Sequence, residues 1–290
     1  MDWVSDIIQG ILAGGQFALF ACGLSLLFGV MKVVNLAHGD LAVVGAYVGI
    51  GVIAVTHVPF LWSIPIVCVL MAALGYVLQR SLIQTALNRG ELTTLIVTLG
   101  LSIVIENGLQ QFFTANTRGY GVGSSIESSS FKIGSLQIGW LPVAIFVVAV
   151  IVLLALQYFL SQSKYGRMIR AVADDREAAL LSGVNARHVF GIAAALAFAT
   201  VGLAGVAFAM SGTVAPSDGT DTILLFAFAS VVIGGLGSLW GTLLGGIVLG
   251  VAQEIGAQIN PSYEALAGYV IFLVVLVLRP QGLTARRSQA

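Results

Sequence analysis

The amino-acid sequence predicts an all-α integral membrane protein, a polytopic helical bundle of about 8–10 transmembrane helices. Three observations carry that reading. Hydrophobic residues fill 58% of the 290 positions and charged residues only 9%, against the roughly 45–50% apolar content of soluble domains. The apolar residues come in continuous runs of about 20, enough to take a helix through ~30 Å of hydrocarbon, and not in the ~10-residue alternating segments of a membrane barrel. Finally, 35 glycines are present, several spaced as GxxxG, which lets helix backbones approach closely in lipid.

The runs fall near 7–30, 38–56, 61–79, 92–113, 140–160, 189–212, 222–236, 239–257 and 264–278. The opening MDWVSDIIQG is acidic and has no small-residue cleavage site, so the first run is expected to remain as a span. Run 222–236 is short and Gly-rich, as a re-entrant or broken helix would be. If all runs cross, Lys32, Arg80, Arg89, Lys164, Arg167, Arg170, Arg176, Arg187, Arg279, Arg286 and Arg287 share one side, and only Arg118 and Lys132 lie on the other. The positive-inside rule makes the first side cytoplasmic. The N-terminus is then outside, the C-terminus cytoplasmic, 114–139 an external loop and 164–188 a cytoplasmic one, all within a single domain, 1–290. GxxxG spacing at Gly45/Gly49, Gly241/Gly245 and Gly246/Gly250 suits packing or broken helices. A weak echo lays NLAHGDLAVVGAYV (35–48) on GLGSLWGTLLGGIV (235–248), as internal repeats in transporters do.

Several function classes are disfavoured. Thirteen basic and thirteen acidic residues balance, so no nucleic-acid partner is indicated. Cys22 and Cys68 sit in apolar runs and imply neither disulfide nor metal site. The sequence contains no P-loop motif, no HExxH and no GxSxG, so no nucleotide site, metal site or catalytic residue is expected in this chain.

Polar residues inside apolar runs are the candidates for function, because a charge in lipid is costly and faces the bundle interior. Asn35, His38, Gly39 and Asp40 open the second run. Asn35 either caps a helix starting at Leu36 or contacts a solute, and the positive end of that helix offers donors to a carboxylate. His38 and Asp40 would tune polarity or pair with each other, and Asp40 is expected in the interior. Glu106 and Asn107 interrupt another run, where the carboxylate is paired, protonated, wet, or simply near the outer interface. Glu254 lies near a span end. Thr93, Thr94 and Thr98 share a helical stripe that suits interhelical bonding.

The longest charged stretch, KYGRMIRAVADDREAALLSGVNARH at 164–188, reads as one or two short amphipathic helices with Gly183 as a stop. Its EAALLSG (177–183) resembles the EAA-x-x-x-G signature of ATP-binding cassette importer permeases, although the usual Leu-Pro continuation is replaced by FGIAAA at 190–195. FGVMKVVNLAHGDLAVVGAYV (28–48), GRMIRAVADDREAALLSGVN (166–185) and VIGGLGSLWGTLLGGIVLG (232–250) together resemble the H-type permease subunit of branched-chain amino acid ABC importers, in matching order over nearly the whole chain. The resemblance implies a bacterial inner-membrane importer that moves amino acids or a related small solute. It further implies a homologous second permease, two cytoplasmic ATPases holding ATP and Mg, and an extracytoplasmic binding protein. Asn35, His38, Gly39, Asp40, Glu106 and Asn107 would form the solute pathway. Gly166, Arg167, Arg170, Glu177, Ala178, Ala179 and Gly183 would couple to the ATPase. Two other classes stay open: an ATP-independent channel or ion-coupled transporter, for which ionisable residues are sparse, and an intramembrane hydrolase, for which AHGD (37–40) lacks a leading Gly and a second Asp.

Overall fold

The computed structural model describes residues 3–120, 130–133 and 136–284. Arg286 and Arg287, and residues 121–129 and 134–135 of the 114–139 loop, lie outside the described residues. The first two helices are α1 (Trp3–Met31) and α2 (His38–Thr56). Then α3 (Phe60–Leu78) continues through a π turn (Gln79–Ile83) into α4 (Gln84–Leu87), and α5 (Glu91–Phe113) follows. An antiparallel hairpin of β1 (Ser130–Ile133) and β2 (Leu136–Gly139) pairs Ser130 with Gly139 and leads into α6 (Trp140–Gln162). Two short helices, α7 (Lys164–Asp174) and α8 (Arg176–Leu181), precede α9 (Ala186–Ser211). A second π turn (Gly219–Ile223) opens α10 (Leu224–Gly234), and α11 (Leu239–Ile259) and α12 (Glu264–Leu278) complete the chain.

Among the described residues eight helices are long and apolar enough to cross a membrane, and the stretch Gly219–Gly234 is a shorter apolar ninth. This is a polytopic all-α membrane protein. Run boundaries differ most after Leu78, where the sequence suggests a loop from residue 80 but the helix runs on to Leu87. Nothing between Gln79 and Leu87 breaks a helix; the break comes at Gly90, whose φ of +118° belongs to glycine. The small hairpin inside 114–139 has no forerunner in the sequence reading.

The central helices are α1 and α9, buried over most of their length. α1 runs antiparallel to α11, with Gly10 against Val251 and Gly14 against Ile247. Gly246 and Gly250, one of the GxxxG pairs, lie against Gly14 and Gly10 in turn, so a Cβ on any of the four would overlap backbone. Without a hydrophobic drive between helices in lipid, such close backbone contact is what holds spans together. Outer helices α3, α5, α6 and α12 expose large apolar side chains such as Leu61, Ile96, Ile151 and Val277, the surface expected to meet acyl chains.

Candidate functional site: two helix starts inside the bundle

After α1 the chain reverses at Lys32, whose φ is +59°, and doubles back along the helix it has just left. Leu36 N donates to Thr98 Oγ1 of α5 at 3.2 Å, and Ala37 N donates to Asn35 Oδ1 at 3.1 Å. Helix α2 then starts at His38, with Ala37 as its uncapped N-cap. Asn35 therefore shapes the turn before the helix and does not cap a helix beginning at Leu36. His38 Nε2 donates to Phe20 O at 2.9 Å, about three turns before the end of α1. The start of α2 thus lies deep in the bundle, not at its end.

A second helix starts at the same depth. Beyond α9, Val214 bridges to Arg118 by paired backbone bonds of 2.9 and 2.7 Å and accepts from Tyr47 Oη at 3.3 Å. The chain then dips inward, Asp218 Oδ2 accepting from Ala215 N at 2.7 Å, to the π turn at Gly219. Gly39 and Gly219 meet here: a Cβ on Gly39 would overlap the Gly219 carbonyl, and a Cβ on Gly219 would overlap Asp40. Only glycine permits this approach.

Asp40 closes the junction. Its carboxylate accepts from Ser102 Oγ and, at 3.2 and 3.4 Å, from Thr220 Oγ1. It sits in the first turn of α2 and against the first turn of the Gly219 helix, and each helix N-terminus carries about half a positive charge in total. No ion pair reaches it among the described residues, so hydroxyls and helix starts compensate the carboxylate. Asp40 is fully buried, as the cost of a charge in lipid requires. His38 and Asp40 do not pair, contrary to one reading of the sequence, because positions two apart on a helix point to nearly opposite sides, here toward α1 and α5 respectively.

Glu106 and Asn107 make no hydrogen bond to this cluster, although the Glu106 carboxylate acts on Asp40 through space. Glu106 accepts from Gln110 Nε2 at 3.0 Å, and Asn107 is exposed and bonds back to Ile103 O at 2.8 Å. Each is satisfied one turn along its own helix. Ser102 and Thr220 were missed in the sequence. Ser102 continues, at four-residue steps, the buried stripe begun by Thr94 and Thr98, a signal that was legible; Thr220 carries none, since only the fold brings it within reach of Asp40.

The junction is shut. His38, Gly39 and Asp40 are buried, and Asn35 lines a void of about 10 Å³ with Gln79, Thr94 and Thr98. Asn35 Nδ2 and Gln79 Nε2, both buried, have no hydrogen-bond partner among the described residues. The 35–48 and 235–248 echo is not matched in depth: α11 starts beside Gly234 and Thr284, at the end of the bundle, whereas the helix facing α2 is the one at Gly219.

The 164–188 stretch forms two capped helices. Ser163 Oγ caps α7 through Gly166 N (2.8 Å), and Asp175 Oδ1 caps α8 through Glu177 N and Ala178 N (2.9 and 3.0 Å). Arg167 Nη1 donates to Gln162 O at 3.0 Å, and Arg170 Nη1 donates to Leu160 O, so both arginines tie α7 to the last carbonyls of α6. Gly166 is buried against Phe159 and Leu160. Gly183, with φ +82°, ends α8: its N–H reaches Leu180 O and Val184 N reaches Ala179 O, each at 3.0 Å, the paired bonds of a Schellman stop. Ala179 is buried in the chain's own core, while Glu177, Ala178, Leu180 and Leu181 are exposed. The apolar ridge left free on α8 is thus Leu180–Leu181, not Ala179.

Comparison with known proteins agrees along the whole chain. Residues 7–278 match the family described as branched-chain amino acid transport system, permease component. The high-affinity branched-chain amino acid transport system permease protein BraD of Pseudomonas aeruginosa is 27% identical over 98% of this chain and 96% of its own length. LivH of Escherichia coli has the same identity and coverage, and LivM of that organism is 26% identical over 92% of this chain and 67% of its own. A solved structure, PsaBC from Streptococcus pneumoniae in complex with Fab, superposes with a TM-score of 0.51 at 14% identity over 97% of this chain and 93% of that one, a likeness of fold. The chain belongs to the family of branched-chain amino acid transport system permease components, and is a transport subunit, not an enzyme.

Proposed function

We propose that this chain forms half of the membrane pathway of an ATP-binding cassette importer in a bacterial inner membrane. A homologous second permease, two cytoplasmic ATPases holding ATP and Mg, and an extracytoplasmic binding protein complete the machine; the match to LivM as well as LivH supports such a pair. The cargo is a branched-chain amino acid or a related small zwitterion. The α7–α8 end and the C-terminus face the cytoplasm and 114–139 faces out, in line with the Lys and Arg distribution.

The observation that carries this reading is the α7–α8 arm. Neither helix is long enough to span, yet α8 presents Leu181 at 91% exposure together with Leu180. An apolar ridge held in water by capped, polar helices is suited to a partner's groove. Movement there has a physical route inward. Arg176 stacks over Phe190 of α9 at 5.5 Å, and α9 touches α2 through Gly202 at Gly45 and Gly205 at Ala42, beside Asp40. A docked ATPase that shifts α8 moves α9 and loosens the Gly39–Gly219 junction. Once parted, the two helix starts offer donors to the cargo carboxylate and Asp40 offers an acceptor to its ammonium.

Uptake of labelled leucine, isoleucine and valine by cells with and without this gene tests the cargo, and pull-down of the ATPases by the Leu181→Glu chain tests the arm. Unchanged uptake rejects the cargo class. Undiminished ATPase capture rejects the docking ridge.

A further inference from the structure

A cavity of about 290 Å³ opens at the α4 end of the bundle, lined by Arg80, Gln84, Thr85, Asn88, Arg89 and Arg187. Arg80, Gln84 and Asn88 follow at four-residue steps through the π turn and α4. Such steps drift around a regular α-helix, and the wider π turn offsets that drift, keeping the three near one line. Arg89 comes from the turn after α4 and Arg187 from the first turn of α9, so remote stretches of chain bring three guanidinium groups to one hollow. Cytoplasmic arginines follow from the positive-inside rule; their convergence does not.

The charges there are uncompensated. Arg80 Nη1 donates to Tyr76 Oη at 3.0 Å and its guanidinium lies 5.7 Å from the centre of that ring, which leaves most of its five donors free. Arg89 and Arg187 have no ion pair or side-chain hydrogen bond among the described residues, and no carboxylate lines the hollow. Gln84 is 4% exposed and donates to Asn88 Oδ1 at 3.1 Å, leaving the Asn88 amide donors free, while its own Oε1 has no partner. A donor-rich lining with three positive charges suits an anion bearing several acceptor oxygens, and guanidinium forks match phosphate.

The position favours a lipid. The hollow lies where the Phe60–Leu87 span ends, and the large apolar residues flanking it in sequence, Val77 and Leu92, are 59% and 76% exposed. We propose that the Arg80–Arg89–Arg187 hollow binds the phosphate of an anionic phospholipid, whose acyl chains lie along the exposed faces of α3 and α5. This site is independent of the transport pathway, and its failure would leave that reading untouched.

Native mass spectrometry of the purified, delipidated full-length chain tests it by titration with phosphatidylglycerol and phosphatidylcholine. Phosphatidylglycerol is expected to bind about ten-fold more tightly, the scale of one strong charge-assisted contact. Arg89→Gln and Arg187→Gln should each reduce that preference and together abolish it. Arg89→Lys with Arg187→Lys should keep part of it, since charge remains but the fork is lost. Lys32→Gln with Lys164→Gln, charges at the same end of the bundle, should not change it. Equal binding of both lipids, an equal loss in the lysine variant, or an unchanged preference in both single arginine variants overturns the site. Displacement of the lipid by glycerol phosphate or inorganic phosphate at comparable concentration overturns the lipid assignment in favour of a soluble phosphate.

Discussion

Asp40 decides how the chemistry at the helix junction is read. A buried carboxylate without a cation survives because Ser102, Thr220 and two helix starts share its charge, and hydrogen bonds to a charged group are worth roughly 1.5–3 kcal/mol each. Ser102→Ala and Thr220→Val should therefore each lower the stability of the purified chain by about that amount, with the pair less than additive because they share one acceptor. Denaturation midpoints in detergent check this; no loss in either variant would mean that Asp40 is neutral at the junction or finds other partners. Asp40→Asn keeps the shape but removes the charge proposed for the cargo ammonium, so uptake should fall about ten-fold or more while assembly survives. Normal uptake would remove Asp40 from the pathway. The interior position of Asp40 was legible because lipid penalises a bare charge. Its partners were not, since Thr220 lies 180 residues away and no local spacing records such a contact.

At the scale of elements, periodic apolar runs located the spans, but helix ends depended on single residues. Gly90 and Gly183 mark true stops because their positive φ disfavours other side chains. The run 38–56 coincides with α2, and only the reading of Asn35 as a cap put the helix start two residues early, because an Asn side chain turning the backbone just before a helix resembles a cap in sequence. Which face of α8 is free was also illegible: EAALL is apolar on two sides, and only the packing of Ala179 into the core leaves Leu180 and Leu181 outside. This changes what substitutions report. Ala179→Glu should destabilise the chain itself, by burying an unpaired charge, and lower its abundance. Gly183→Val forces a β-branched residue into the left-handed region, at a cost of about 1–3 kcal/mol, and should loosen the Schellman stop. Leu181→Glu should leave stability unchanged, because the side chain already faces water, yet weaken ATPase capture. Abundance and capture measured together separate these outcomes; a Leu181→Glu chain that is itself unstable would show that the ridge packs within the subunit.

Over the whole molecule, two incomplete passes explain how an odd number of apolar segments alternates between two ends. α2 and the Gly219–Gly234 helix each begin deep in the bundle, and the doubling back of 32–37 and the inward dip of 212–218 supply the missing parts of those passes. Counted as one pass each, they would bring the eight candidate spans and the shorter helix to nine crossings, with the α7–α8 arm and Arg279 expected at one end and Arg118 at the other. Non-helical backbone at such depth is tolerated because it is enclosed by protein, where its amides find Thr98, Asn35 and Asp218. Nine crossings place the two chain ends on opposite sides, whereas eight full spans alone would place them together. Cysteine labelling tests which end of the bundle faces out. With Cys22 and Cys68 replaced by Ala, Thr117→Cys and Ser182→Cys each add one thiol at an exposed position at either end of the bundle. In right-side-out spheroplasts a membrane-impermeant maleimide should label Thr117→Cys directly and Ser182→Cys only after permeabilisation, since the basic end is held inside by the Lys and Arg excess. Labelling of Ser182→Cys in sealed spheroplasts would invert the molecule and put the proposed ATPase arm beyond the reach of ATP. Labelling of both would put the two positions on one side of the membrane and mean that α6, the single long span between them, does not cross.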